Sequence, residues 1–220
     1  MCIRDRGRFI TLEGAEGVGK TSLLPFLKDL IEATGAQLLC TREPGGTPLG
    51  EDLREVLLNS DHAIVGKAEA LLMFAARAQH VETVIEPALA KGIWVLCDRF
   101  TDASYAYQGG GRDLGVGQIA ILEDWVHGYL QPDLTVLLDA SREVSLSRMR
   151  RRREVDRIER EDEVFFERVR QAYLQQAQAY PDRVKLIDAN PAFEQVCETV
   201  SSVFEDTLEG WRSSMTASQS

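Results

Sequence analysis

The chain has 220 residues, 44% hydrophobic and 27% charged, with 25 basic side chains against 35 acidic ones and a net charge of −10. That is room for one sizeable domain with a full hydrophobic core, in the composition of an ordinary globule. The acidic mean field repels polyanions, which excludes a general nucleic-acid or anionic-membrane binder, so an anionic substrate has to be met by a local cluster of cations. Cys2, Cys40, Cys97 and Cys197 form no C-x-x-C pair and only three histidines accompany them, which argues against a disulfide framework or zinc site and for a reducing cytosol. No apolar run is long enough to span a bilayer, and no signal-peptide pattern opens the chain.

The first residues, MCIRDR, have no periodicity and read either as a disordered leader or as residues foreign to the natural chain. Residues 1–7 are given no function. A strand is predicted over Arg8–Glu13, and further short apolar runs at Gln37–Thr41, Ile93–Asp98, Leu134–Asp139 and Val184–Asp188 read the same way. WVLCD and TVLLD are nearly continuous in apolar residues, as in parallel strands buried on both faces. Helical patterns fill the intervals: Lys20–Thr34, Leu49–Asn59, Lys67–Lys91, Val116–Tyr129, Arg142–Arg153, Glu163–Tyr180 and Ala192–Leu208. The stretch between Asp98 and Gly111 is expected to be a loop. Alternating strands and helices predict a three-layer α/β domain over residues 8–209 with right-handed crossovers. Residues 210–220 are expected to form a disordered tail.

Between the first strand and first helix lies Gly14-Ala15-Glu16-Gly17-Val18-Gly19-Lys20-Thr21, which matches G-x-x-x-x-G-K-[ST]. Glycines let successive backbone N–H groups turn inward on a phosphate, Lys20 can reach the outer phosphates, and the Thr21 hydroxyl can ligate Mg2+. Ser22 follows in the same turn. Glu16 is out of place here, because a carboxylate repels phosphate. Asp98 closes a strand and Arg99 adjoins it, offering an anion for a metal shell and a fork for phosphate. Asp98 alone reads equally well as an ordinary strand-end turn residue. Phe74 lies on the apolar stripe of its helix and reads first as core; Arg77 on that same side is what a core reading explains poorly. The run SRMRRRREVDRIERED reads as a solvated basic helix, a nucleic-acid patch or part of the site, and its interleaved acids weigh against nucleic acid. His62, His80 and His127 read as structural or surface residues, and Cys97 as a small buried hydrophobe.

FITLEGAEGVGKT, TREPGGT, FAARAQHV, CDRFTDASYAYQGGGR and DRIERED occur in that order, and together they resemble the thymidylate kinase family from about Phe9 to about Val203. The resemblance implies a P-loop kinase fold: a five-stranded parallel sheet wrapped by helices, with an Arg-rich lid over about 148–162. It implies transfer of the γ-phosphate of ATP to dTMP, ATP and Mg2+ as donor and cofactor, and a cytosolic homodimer joined through long helices. Gly14–Ser22 would bind ATP. Glu16 would turn away from ATP and accept a hydrogen bond from the 3′-hydroxyl of dTMP. Phe74 resembles the residue stacked on thymine and Arg77 the donor to a thymine carbonyl. Arg42 and Arg99 resemble the arginines that grip the acceptor phosphate. Ser104 and Gln108 match positions at the base edge or sugar, and Tyr107 the ring set against the sugar C2′. The phosphate loop carries no cation before Lys20, so the chain resembles the subclass with lid arginines, at Arg148, Arg150, Arg152 and Arg157. Lys20, Arg99, Arg150 and Arg152 would be catalytic. The stretch LIDANPAFE resembles a loop near adenine.

The competing readings are another nucleotide kinase, against which Arg42, Phe74, Arg77 and Tyr107 argue; a GTP-binding switch, whose N-K-x-D motif is missing; and a DNA-stimulated ATPase.

Overall fold

The computed structural model describes residues 6–150, 157–158 and 160–217. Five strands form one parallel sheet in the order β2-β3-β1-β4-β5: β1 (Phe9–Glu13), β2 (Leu38–Arg42), β3 (Trp94–Asp98), β4 (Leu134–Asp139) and β5 (Val184–Asp188). Each lies within a residue of where its apolar run placed it. The continuity of those runs has its expected cause. In β4, Leu134, Val136 and Leu138 pack on one face and Leu137 on the other, and in β1 Phe9 opposes Ile10 and Leu12. Each such buried aliphatic side chain contributes about 1.5–3 kcal/mol.

Helix α1 (Lys20–Glu32) packs Leu23, Leu27 and Ile31 on the first face beside α9 (Phe193–Ala217), which brings Val196, Val200 and Phe204. Helix α2 (Pro48–Asn59) starts where Thr47 Oγ1 accepts the Gly50 N–H at 2.9 Å and Pro48 fixes the first turn. Helix α3 (Gly66–His80) passes through a π-helical turn (Val81–Ile85) into α4 (Glu86–Ala90). The long segment expected over Lys67–Lys91 is therefore interrupted, and Val81, Ile85 and Leu89 pack under Phe9 and Val95.

The stretch after β3 is helical, not the expected loop: α5 (Thr101–Ser104) runs into a π-helical stretch (Tyr105–Gly111) packed on α8 (Glu163–Ala179). Its glycines suggested a loop but serve close packing instead, since a Cβ at Gly111 would strike the Phe165 ring. Helix α6 (Val116–His127) lies beside α3. Helix α7 (Arg142–Met149) is capped by Ser141 and ends before the expected Arg153, which lies outside the described residues. Helix α9 continues past Leu208 to Ala217, where a disordered tail was expected. No helix among the described residues is long and apolar enough to cross a membrane.

Both sheet neighbours of β1 follow it later in the chain, one on each side, so a crevice opens at its carboxyl end. Glu13, Arg42, Asp98 and Asp139 end their strands on that edge.

Candidate active site

The phosphate loop leaves β1 at that crevice and enters α1 at Lys20. Gly17 stands at φ 78°, and a Cβ there would strike the Ser145 carbonyl of α7, so only glycine permits this approach. The Lys20 ammonium donates to the carbonyls of Gly14 (2.8 Å) and Ala15 (2.9 Å). Burial, followed by the charge of Arg99, pulls its pKa down to about 8.

Arg99 is the node of the site. It stands at φ 70° and donates to the Gly14 carbonyl (3.0 Å), to Tyr173 Oη (3.1 Å) and to Glu16. Its guanidinium lies 4.8 Å from the centre of the Tyr107 ring, and Tyr107 Oη donates to Glu16 at 3.1 Å. Burial opposes its charge, yet Glu16 and the surrounding oxygens hold its pKa well above the ordinary value. Beneath it, Glu13 is fully buried and accepts the Phe100 N–H (2.6 Å) and the Tyr173 hydroxyl (2.7 Å). Burial, reinforced by the charge of Asp102, raises the Glu13 pKa to about 7.

That last shift makes a prediction. A folded-state pKa above the unfolded 4.5 means that Glu13 contributes stability fully below about pH 4.5, and that this is lost as pH rises through about 7. The total is roughly 3 kcal/mol. Glu13→Gln should flatten the pH dependence of Tm between pH 5 and pH 8, gaining on the parent as pH rises. Parallel curves for the two proteins would show that Glu13 stays ionised in the fold.

A cleft of about 220 Å³ opens beside this node. Glu16, Lys20, Asp98 and Arg99 line one end, Arg54, Leu57, Met73, Tyr107 and Gln108 its walls, and Arg157 and Ile158 also border it. Asp98 Oδ1 is buried without a hydrogen-bond partner among the described residues. A second cleft, about 510 Å³, lies across the loop between Gly19, Ser22, Arg148, Ala189 and Phe193. Arg148 bridges the loop to the β5–α9 turn, donating to the carbonyls of Val18 (3.2 Å) and Ala189 (3.0 Å).

The family model for thymidylate kinase matches residues 12–200. A thymidylate kinase of Bordetella pertussis is 53% identical over 191 residues, 87% of this chain and 91% of that protein. One of Pseudomonas putida is 52% identical over 207 residues, 94% of this chain and 99% of the relative. A crystal structure of thymidylate kinase from Ehrlichia chaffeensis superposes with a TM-score of 0.75 at 31% identity, covering 91% of this chain and 99% of that one.

The chain belongs to the thymidylate kinase family.

A thymidylate kinase transfers the γ-phosphoryl group of ATP to dTMP, giving dTDP and ADP, and this chain is such a phosphotransferase. The fold places two clefts on either side of the phosphate loop of this thymidylate kinase. Glu16, Lys20, Asp98, Arg99, Tyr107 and Gln108 come together around one cleft.

Other expected residues are placed differently. Phe74 is 2% exposed, its ring stacked against His127 at 6.4 Å, and it is Met73 that lines the cleft. Neighbouring helical residues point about 100° apart, so the stripe carrying Phe74 turns into the core. Arg42 leaves the strand end for an exposed ion pair with Glu51 at 2.9 Å, and Arg54, one helix further on, lines the cleft and donates to the Pro44 carbonyl at 2.9 Å. Arg77 is fully buried: it donates to Glu43 (2.7 Å), Ser104 Oγ (3.0 Å) and the Phe100 carbonyl (3.2 Å). Burial opposes the Glu43 charge, but Arg77 and His80 hold its carboxyl below the usual range.

The expected lid arginines also separate. Arg148 spans the loop as described, and Arg150 lies exposed in the turn after α7. Arg152 falls outside the described residues. Arg157 is anchored instead of exposed: Nε donates to the Leu57 carbonyl (2.8 Å) and Nη2 to Glu69 (2.6 Å). Sequence reasoning missed Glu69, which is 1% exposed and also takes bonds from Gln108 and Arg112. Within an amphipathic helix it looked like any solvated acid.

Proposed function

We propose that ATP lies along the phosphate loop with its base in the cleft by Arg148 and Phe193, and that dTMP occupies the cleft between Glu16, Met73 and Gln108. The observation that carries this reading is Arg99, whose one guanidinium touches both the Gly14 carbonyl of the donor loop and Glu16 on the acceptor side. Gly14–Ser22 hold the donor phosphates, with Lys20 on the outermost. Arg99 and Arg54 receive the acceptor phosphate in place of the expected pair of Arg99 and Arg42. Glu16 takes the 3′-hydroxyl, and the Tyr107 ring crowds the 2′ position. Met73 offers its thioether to the flat of the base, the role expected of Phe74. Gln108 meets the base edge, whereas Ser104, expected there too, is fully buried behind the cleft with its Oγ taken by Arg77, so neither of that pair touches the base directly.

The acceptor phosphate is already ionised, so the transfer needs no dedicated base. Positioning in line and neutralising the migrating charge do the catalysis, the task of Lys20, Arg99 and the lid arginines Arg150 and Arg152. Arg157 roots the lid. The orphaned Asp98 Oδ1 near Thr21 suits Mg2+, which when bound offsets charge on the donor phosphates. A homodimer completes the reading. It is supported by Leu71 on α3 and Ile121 and Trp125 on α6, large apolar side chains exposed on two adjacent helices. The unpaired thiols of Cys40, Cys97 and Cys197 suit a reducing cytosol.

An ADP-release assay with dTMP, dUMP, dCMP, dGMP and UMP as acceptors tests the reading. dTMP should be preferred and EDTA should abolish turnover. Met73→Ala should raise the KM for dTMP about tenfold with ATP unaffected, whereas Phe74→Ala should lower Tm. Reversal of those two outcomes would return the base to Phe74.

A further inference from the structure

Gln108 is 3% exposed and lines the acceptor cleft. Its side-chain amide has two chemically different ends, a donor and an acceptor, and what the end turned toward a ligand offers depends on which end is engaged elsewhere. Here Nε2 donates to Glu69 Oε1 at 2.9 Å, and Oε1 is itself buried at the wall of the cleft with no partner among the described residues. Glu69 is equally buried and ionised. Burial opposes its charge, but Arg112, Gln108 and Arg157 hold its carboxyl below the usual range. Arg112 Nε reaches both of its oxygens at 3.2 Å, and Arg157 reaches Oε2 at 2.6 Å. An ionised carboxylate only accepts hydrogen bonds. A reversed Gln108 amide would set carbonyl oxygen against carboxylate oxygen and strand both.

We infer that Glu69 is a specificity-determining positioning residue: it locks the Gln108 amide with its carbonyl as the group presented to the acceptor base. The inference rests on the reading above that places the base against Gln108. A fixed acceptor favours a pyrimidine that carries a hydrogen on N3, as thymine does. It disfavours cytosine, whose N3 is itself an acceptor and would leave two buried lone pairs facing each other. The selecting charge never touches the substrate. It is held by Arg112 and Arg157, and so is itself rigid.

The test is the ratio of kcat/KM for dTMP to that for dCMP, in which the fraction of active enzyme cancels. Glu69→Gln, of equal size, can bond to either end of the Gln108 amide and should lower the ratio about tenfold or more. Glu69→Asp, still only an acceptor, should keep most of it. Gln108→Leu should lower the ratio by itself, and adding Glu69→Gln to it should change nothing further. A ratio that falls in Gln108→Leu but not in Glu69→Gln overturns the inference and leaves the base reading standing. A ratio unmoved in Gln108→Leu removes the base from Gln108 and the inference with it. Should Glu69→Gln not fold, the parent enzyme still decides. In a crystal structure of the parent enzyme with dTMP, the Gln108 amide, oriented by its bond to Glu69, should place Oε1 within hydrogen-bond distance of thymine N3. Nε2 facing thymine N3, with Oε1 turned toward Glu69, would overturn the inference.

Discussion

Arg99→Ala lowers kcat/KM for dTMP by about 10²–10³-fold and leaves the affinity for ATP within about twofold. The asymmetry follows from the geometry. Arg99 meets the donor loop at one backbone carbonyl, which Lys20 also serves, but on the acceptor side it organises Glu16, the Tyr107 ring and the Tyr173 hydroxyl together. Its left-handed backbone adds no new penalty in the variant, because alanine at that φ is strained no more than arginine. Arg99→Lys should fall between the two, keeping a charge but losing the fork. Steady-state kinetics against each substrate, with direct ATP titration, measure this. Equal losses for ATP and dTMP would refute an acceptor-specific role for Arg99.

Lys20→Met should cost about 10²–10³-fold in kcat and also alter the pH profile. With burial and Arg99 lowering its pKa to about 8, Lys20 carries its charge below that pH and loses it above. The kcat/KM for ATP, which reports the free enzyme, should therefore decline on the alkaline side of about pH 8 in the parent. The small residual activity of Lys20→Met should lack that limb. An alkaline limb surviving in the variant would place the titration elsewhere.

The sheet and the phosphate loop were legible because each is written in contiguous residues. WVLCD is apolar on both sides of the strand because both sides are covered, and a run of glycines ending in Lys20-Thr21 needs no distant partner to be recognised. The cleft beside Arg99 was harder. Met73 and Phe74 are adjacent, both apolar, on one helix, and only the packing of α3 on α6 decides which turns inward. Arg42 and Arg54 are alike in sequence terms; a pair with Glu51 takes the first to the surface while the second faces the cleft. The Glu69 cluster joins positions from three separate segments, α3, the glycine-rich stretch after α5 and the lid root. No local pattern can announce such a cluster.

The wide turn at Val81–Ile85 bears on how such an enzyme can diversify. A π turn houses one residue more than an α-helical ladder requires, which shifts the phase of everything beyond it by about 100°. Upstream, Glu69 and Met73 line the cleft and Arg77 is bonded to Glu43 behind it; downstream, Val81, Ile85 and Leu89 are clamped to the sheet. The surplus residue uncouples those duties. Selection can redraw the half that faces the cleft while the half that anchors the helix keeps its register.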